Sequence, residues 1–133
     1  MSRVSRWDIV LAEEIAAVRE LPFEWGEHDC ASWSLSVVCR LRGEDPPDWI
    51  GSYKTKTGAL RKLSESEVKI EDIGSTILGD PMDNVLFAQR GDLVFSGGAY
   101  GICVGSMSAH IGEDGKKGLV FIPMSAAERA WRT

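Results

Sequence analysis

The sequence predicts an α+β fold, in which N-terminal helices pack on one C-terminal antiparallel sheet. Before Arg90, apolar residues recur at the spacing of helices. From Arg90 onward, the chain consists of short apolar runs that are separated by glycines and rich in residues that suit strands. This order of patterns, helices first and strands afterwards, indicates the α+β class.

The chain is predicted to form a single domain over residues 1–133. Its 133 residues suit one compact unit, and a hydrophobic share of 44% is enough for a real core. Charged residues make up 26%, which is typical of a globular surface. We find no internal repeat, linker or low-complexity segment.

The first helix is predicted to begin after Ser5, because Asp8 follows three residues later in a capping-box pattern. Pro22 is expected to end this segment. The apolar residues of the helix lie at helical spacing: Trp7, Val10, Leu11, Ile15 and Val18.

The second helix is predicted to begin at Cys30. Asp29 is a good N-cap residue, and Gly43 closes the helix. One apolar stripe runs along it: Cys30, Trp33, Val37 and Leu41.

The middle of the chain contains a loop and shorter elements. Two prolines predict a loop over residues 44–53, and "TGALRKL" from Thr57 predicts a short helix. Residues 68–80 are ambiguous, with a helix favoured by the spacing of their isoleucines.

The C-terminal strands are predicted from "GDLVF", "YGICVG", "MSAHIG" and "GLVFIP". A hairpin turn is expected at "EDGKKG", which begins at Glu113. The tail "SAAERAWRT" is left open between a short helix and an extended end.

Charge and hydropathy exclude some classes of partner. With 15 Lys and Arg against 20 Asp and Glu, the net charge is −5, and we find no basic run that would bind nucleic acid. No apolar run approaches the roughly 20 residues of a membrane span. The N-terminal residues show no export signal, so we expect a protein that is made in the bacterial cytoplasm without a signal peptide.

The cysteines are expected to be thiols, because their number, three, is odd and the chain lacks an export signal. The sequence has no C-x-x-C motif and only two histidines. We therefore expect no metal site and no cofactor.

Cys30 has two interpretations from its position alone. A thiol in the first turn of a helix feels the positive end of the helix dipole, which lowers its pKa, although the preceding Asp29 opposes this effect. Cys30 could instead be a small buried apolar residue at the start of a helix.

Two sets of motifs resemble a known superfamily. Aromatic-x-Trp-Gly followed by Asp-Cys at a helix start, then "GDLVF" and "GICVG", resembles the NlpC-type cell-wall peptidases, which are papain-like cysteine enzymes. This resemblance covers Pro22 to about His110. A phage and prophage branch of the superfamily, labelled as a domain of unknown function, is more similar still. Its motifs cover nearly the whole chain: "PFEWGEHDC", "GEDPPDWIGSY", "GALRKL", "QRGDLV", "GICVG" and "AWR".

The resemblance implies a papain-like fold with Cys30 at the nucleophile position. The family's general-base histidine stands two residues before the glycine of the Gly-Ile strand, and here that position is Ala99, which cannot move a proton. We therefore expect the side chain of Ala99 to face Cys30. Because side chains alternate along a strand, Cys103 is expected on the same face as Ala99, where it would come near Cys30.

Two histidines are candidates to replace the missing base. His110 lies on the next strand, close to the family's third polar residue, and His28 lies two residues before Cys30. The alternatives are a polar residue on a strand face for His110 and an exposed turn residue for His28. The chain also has Phe23 where the family usually has Tyr.

These features support three hypotheses of function. The first is a phage or prophage tail-tip or tail-assembly protein, catalytically degenerate and located in the virion. Its partners would be other tail proteins of the hub or tip, reached through an interface of about 1,000 Å² or more. Trp49, Tyr53 and Trp131 are either anchors of that interface or caps of this domain's own core.

The second hypothesis is an active cysteine endopeptidase or amidase that uses Cys30 and His110. It would cleave peptidoglycan stem peptides during DNA entry, so peptidoglycan is a second candidate partner. The third is a bacterial immunity or toxin-associated protein with the same fold.

Overall fold

Over the residues that the structure describes, the fold consists of four α-helices followed by a five-stranded antiparallel sheet. A computed structural model describes residues 3–19, 21, 29–50, 52–112 and 118–133. The order of elements confirms the predicted α+β class, with N-terminal helices and a C-terminal antiparallel sheet. Across these described ranges, no helix is long and apolar enough to cross a membrane.

The helices have bounds close to those predicted. They are α1 at Trp7–Val18, α2 at Cys30–Arg42, α3 at Lys56–Ser66 and α4 at Ile73–Leu78. Short 3₁₀ turns lie at Ile70–Asp72, Val85–Phe87 and Met124–Ala126. The helix favoured within residues 68–80 is thus confirmed.

Helix α2 is the central helix of the domain. The Asp29 side chain accepts a hydrogen bond from the backbone N–H of Ser32 at 2.8 Å, as an N-cap does. At the other end, Gly43 adopts a φ of 70°, the left-handed conformation that glycine tolerates best. Both predicted ends of α2 are confirmed, and most of its residues are buried, including Ser32 and Ser34.

The predicted cap of α1 is wrong. The N-cap is Arg6 in the left-handed region, with no side-chain cap hydrogen bond. The entry to the helix is set instead by a tertiary contact, because the backbone N–H of Val4 donates to the carbonyl of Leu41 in α2 at 2.8 Å. Pro22, the expected end of this segment, lies outside the described residues.

The sheet has the strand order β4-β3-β2-β1-β5, with antiparallel neighbours throughout. Its strands are β1 at Leu93–Ser96, β2 at Ala99–Cys103, β3 at Met107–Ile111, β4 at Leu119–Pro123 and β5 at Arg129–Trp131. The four predicted strands are present. The tail, which the sequence left open, forms a 3₁₀ turn and then the edge strand β5. Most of the predicted 113–118 turn lies outside the described residues.

The two faces of the sheet carry separate clusters. Tyr100 and Ile102 of β2 belong to the main core, together with the buried apolar residues of α2. Cys103 alternates with Ile102 and belongs to a second cluster with Val94 and Met124. Helix α2 therefore packs on the Tyr100 and Ile102 face, and the 3₁₀ turn that begins at Met124 covers part of the other face.

Candidate functional site

Cys30 lies where the start of α2 meets strand β2. It is half-buried and packs against the main core, and the backbone of Tyr100 lies close enough to its thiol to lower the pKa of Cys30. The prediction that Cys30 begins the central helix and packs against the strand of Gly101 is therefore confirmed. This contact is the structural basis of the candidate site.

The environment of Cys30 favours the neutral thiol. Burial is the largest effect and raises the pKa of Cys30 above its ordinary value of 9.0. The backbone of Tyr100 lowers the pKa and the charge of Asp29 raises it, and the net direction is upward. The sequence led us to expect two opposing effects on the pKa of Cys30, one from the helix start and one from Asp29. Neither effect is the largest, because desolvation of the thiol outweighs both.

Asp29 is held by a small polar cluster beside the thiol. Tyr53 Oη donates to Asp29 Oδ2 at 2.8 Å, and Ser32 Oγ donates to the same oxygen at 3.2 Å. Burial is the main reason that the pKa of Tyr53 is raised, so this hydroxyl remains a donor. The cluster ties the end of the 44–53 loop to the first turn of α2.

A groove of about 560 Å³ opens above Cys30 and Asp29. Its walls come from the loop before α3, from α3 itself and from the 70–76 segment. Its lining is mainly apolar, with Trp49, Ala59, Leu60, Leu63, Val68, Ile70 and Ile73 among its residues. Cys30 therefore lines a cavity whose size is typical of small-molecule pockets, which span roughly 300–1,000 Å³.

His110 is buried in strand β3 and uses both of its ring nitrogens. Nδ1 lies 3.0 Å from the carbonyl oxygen of Tyr100, and Nε2 lies 2.7 Å from Ser108 Oγ. A carbonyl only accepts, so Nδ1 carries the proton and Nε2 accepts the hydroxyl proton of Ser108. Burial lowers the pKa of His110, which keeps the ring neutral.

The imidazole of His110 lies over Gly101. A Cβ atom on Gly101 would stand 2.5 Å from the ring, so only glycine fits there. Gly101 alternates with the core residues Tyr100 and Ile102, which places the ring on the other side of β2. The structure therefore does not join His110 to Cys30 as a nucleophile and a base, and each ring nitrogen has another partner.

Ala99 and Cys103 belong to the second face of the sheet. Ala99 pairs with Ser96, whose Oγ donates to the carbonyl of Ala126, and Cys103 packs with the second cluster. Contrary to the predictions, Ala99 does not turn its side chain to Cys30, and Cys103 lies across the sheet from it. The cause is that α2 packs on the opposite set of alternating side chains.

The remaining candidates have different positions. His28 lies outside the described residues. Trp131 is fully buried, so its interpretation as an exposed anchor is wrong: it caps the domain's own core and donates from Nε1 to Ser75 Oγ at 3.1 Å. Trp49 and Tyr53 are half-buried and line the groove. Within the described part of the chain, no group of three or more His, Cys, Asp or Glu residues could hold a metal ion.

Sequence reasoning missed the pairing of Tyr53 with Asp29 and the groove above them. No local pattern connects two residues that are 24 positions apart. A signal of the groove was present in helix α3. Its leucines recur at helical spacing, but the segment is too polar to belong to the core.

A family model described as a domain of unknown function (DUF6950) matches residues 2–133, and the chain therefore belongs to that family. No curated protein matches the chain significantly. The matched range includes both Cys30 and His110, so the geometry described above lies within the domain that defines the family.

Proposed function

We propose that this member of the DUF6950 family is a phage or prophage tail-tip or tail-assembly protein on a papain-like, NlpC-type fold that does not act as a peptidase. The motifs that resemble the phage branch support the tail setting. A cysteine at the start of the central helix, in contact with an antiparallel sheet, agrees with the arrangement that the resemblance implies.

The observation that carries the proposal is the separation of the two groups that a cysteine peptidase must join. The attacking group in such an enzyme is a thiolate, and a nearby imidazole activates it. Here burial keeps Cys30 as a neutral thiol, while His110 is committed to Tyr100 and Ser108.

An exposed apolar pair supports a role in assembly. Leu86 and Phe87 are 65% and 64% exposed on the turn Val85–Phe87. The turn is held in place because Asn84 Oδ1 accepts a hydrogen bond from the backbone N–H of Leu86 at 2.9 Å. Rigidly presented large apolar side chains are typical anchors of protein interfaces. We assign the contact with hub or tip proteins to this pair, in an interface of about 1,000 Å² or more.

An active cysteine endopeptidase or amidase acting on peptidoglycan stem peptides is the second candidate function. The observation in its favour is that Cys30 lines a groove large enough for a ligand, at the start of a helix. This function requires that His110 leave its present partners or that His28 act as the base.

A complementation experiment distinguishes the two functions. The gene for this protein is deleted from the prophage that carries it, and wild-type or variant chains are supplied from a plasmid. Virions made with the Cys30→Ala chain are expected to assemble, to contain the protein by mass spectrometry and to infect normally. Virions made with the Phe87→Asp chain are expected to lack the protein or to assemble poorly. Phe121→Asp is the matched control, because Phe121 is also exposed, at 49%, but lies on strand β4.

The opposite pattern would overturn the proposal. If the Cys30→Ala chain fails to restore infection, and if the purified wild-type protein cleaves stem peptides only with Cys30 intact, the protein is an enzyme.

A further inference from the structure

Strand β4 presents an apolar edge of the sheet to solvent. It stands at the end of the strand order, beside β3. Within the described residues, four of the eight exposed large apolar side chains lie on β4 or directly beside it: Leu21, Met107, Val120 and Phe121. Met107 pairs with Pro123 at one end of β4, and the carbonyl of Leu21 accepts from the N–H of Gly118 just before the other end. The exposed apolar surface is thus concentrated at this edge.

The ladder with β3 determines which backbone groups of β4 point inward. Met124, the residue after β4, donates from its backbone N–H to the carbonyl of Ser106 at 2.9 Å. Hydrogen-bonded pairs recur at every second residue of an antiparallel ladder. Ile122 and Val120, which lie two and four residues earlier, are therefore the residues of β4 whose N–H and C=O groups bond to β3.

The backbone groups of Leu119 and Phe121 point outward by the same alternation. No hydrogen bond reaches them from any residue that the structure describes. Pro123 also faces outward, and it offers a carbonyl but no N–H, so it protects the edge at one end only. The free edge therefore has two donors, on Leu119 and Phe121, and three acceptors.

The strand that fits this edge is β4 itself. In an antiparallel pair of two copies centred on Phe121, the two Phe121 residues exchange both of their hydrogen bonds, and each Leu119 N–H meets the carbonyl of Pro123 in the other copy. Every free donor of the edge then has an acceptor. The arrangement is two-fold symmetric, as the commonest protein dimers are.

The charges at the edge are compatible with a second copy. Free edge strands are commonly protected by charged side chains, yet residues 118–127 contain none. Two copies of a chain with a net charge of −5 repel each other at long range, but here they bring only uncharged side chains together. A contact of one five-residue strand with another is small, so the dimer should be weak, with a Kd of roughly 10–100 µM.

We propose that the free protein forms a two-fold dimer in which the β4 strands of two copies pair and continue the sheet across both domains. Phe121 lies beside its counterpart at the centre, and the exposed Val120 of each copy lies opposite Ile122 of the other. This surface is separate from the pair Leu86 and Phe87 to which we assign the contact in tails, and the dimer belongs to the protein before it meets a tail. A failure of either proposal therefore leaves the other standing.

Sedimentation equilibrium of the full chain, from about 5 to 500 µM, tests the dimer. The weight-average mass should rise from that of one chain towards that of two. Phe121→Lys should weaken the association roughly tenfold or more, because it places a charge at the centre of the edge. Leu60→Lys is the matched control, since Leu60 is 57% exposed on α3, and its Kd should equal that of the wild type. A mass that stays at one chain throughout, or equal weakening by both variants, would overturn the proposal.

Amide hydrogen exchange tests the pairing residue by residue, without any substitution. At the high end of the concentration range, exchange of the Leu119 and Phe121 amides should slow severalfold relative to the low end, because these N–H groups are bonded only in the dimer. The amides of Val120 and Ile122, which donate to β3 in either state, are the internal control and should not change. Exchange at Leu119 and Phe121 that does not depend on concentration would show that β4 does not pair with itself.

Discussion

The imidazole of His110 donates from Nδ1 to the carbonyl oxygen of Tyr100 at 3.0 Å, and the backbone of the same tyrosine lowers the pKa of the Cys30 thiol. One residue of strand β2 therefore lies between the thiol of Cys30 and the imidazole of His110. In a working cysteine peptidase the thiol and the imidazole would contact each other. Here the imidazole instead donates to the backbone of β2, and the thiol packs against the main core.

The hydrogen bonds of His110 should stabilise the sheet. His110→Ala would leave the buried hydroxyl of Ser108 and the carbonyl of Tyr100 without this partner, and it would also open a cavity. A loss of about 2–4 kcal/mol in the free energy of unfolding is expected. Urea denaturation followed by tryptophan fluorescence measures it. A loss below about 0.5 kcal/mol would show that the network does not contribute.

Because of His110, the free energy of unfolding should also decrease as the pH is lowered. Its pKa in the folded state lies below the ordinary value of 6.5, so the unfolded chain takes up this proton first as the pH decreases. Stability is thus fully present above the unfolded pKa and is lost as the pH falls below about 6.5. Denaturation midpoints from pH 8 to 5 should decline less in His110→Gln than in the wild type. His28→Gln is the control, and equal slopes for His110→Gln and the wild type would contradict the assignment.

The ion pair of Asp92 with Arg3 should contribute more to stability than the pair of Asp72 with Arg129, although the N–O distances of the two pairs are similar. Arg3 Nη2 lies 2.8 Å from Asp92 Oδ1, and the buried carboxylate also accepts from the backbone N–H groups of Gln89 and Thr133. Asp92→Ala should cost about 3 kcal/mol, because it removes one partner of a buried pair and several hydrogen bonds.

The matched control for Asp92 is Asp72→Ala. The pair of Asp72 with Arg129, at 2.6 Å, is largely exposed, so the change should have a much smaller effect. Thermal unfolding of the Asp92→Ala and Asp72→Ala variants measures the two effects. Equal losses of stability would show that burial does not distinguish the two pairs.

Tyr53 and Asp29 should act as one unit. Removal of an N-cap costs about 1 kcal/mol, and Tyr53→Phe should cost a similar amount by removing the donor to Asp29 Oδ2. In the Asp29→Ala background, Tyr53→Phe should have a smaller effect than in the wild type, because only the contact of Tyr53 Oη with Ser32 Oγ, at 3.0 Å, remains to be lost. Additive losses in this double-mutant cycle would show that the two residues stabilise the protein independently.

Local sequence patterns predicted the elements but not how their faces are arranged. Asp29 and Gly43 mark the ends of α2 because capping depends on neighbouring residues. The failure at Ser5 has a tertiary cause, since Val4 is fixed by Leu41 across the fold. The sequence of β2 does not indicate which of its faces α2 covers, because both faces of this strand are largely buried. Helix α2 covers the face of Tyr100 and Ile102, and Ala99 and Cys103 therefore lie on the opposite face from Cys30.

The central claim, that Cys30 is not an activated nucleophile, is tested most directly by the pH dependence of its alkylation. The rate with iodoacetamide is measured by mass spectrometry on the intact, folded protein. Because burial raises the pKa of Cys30 above 9.0, the rate should be low at neutral pH and still be rising at pH 9. A rate that is already on a plateau below about pH 7 would reveal a thiolate paired with an imidazolium, and it would contradict this account.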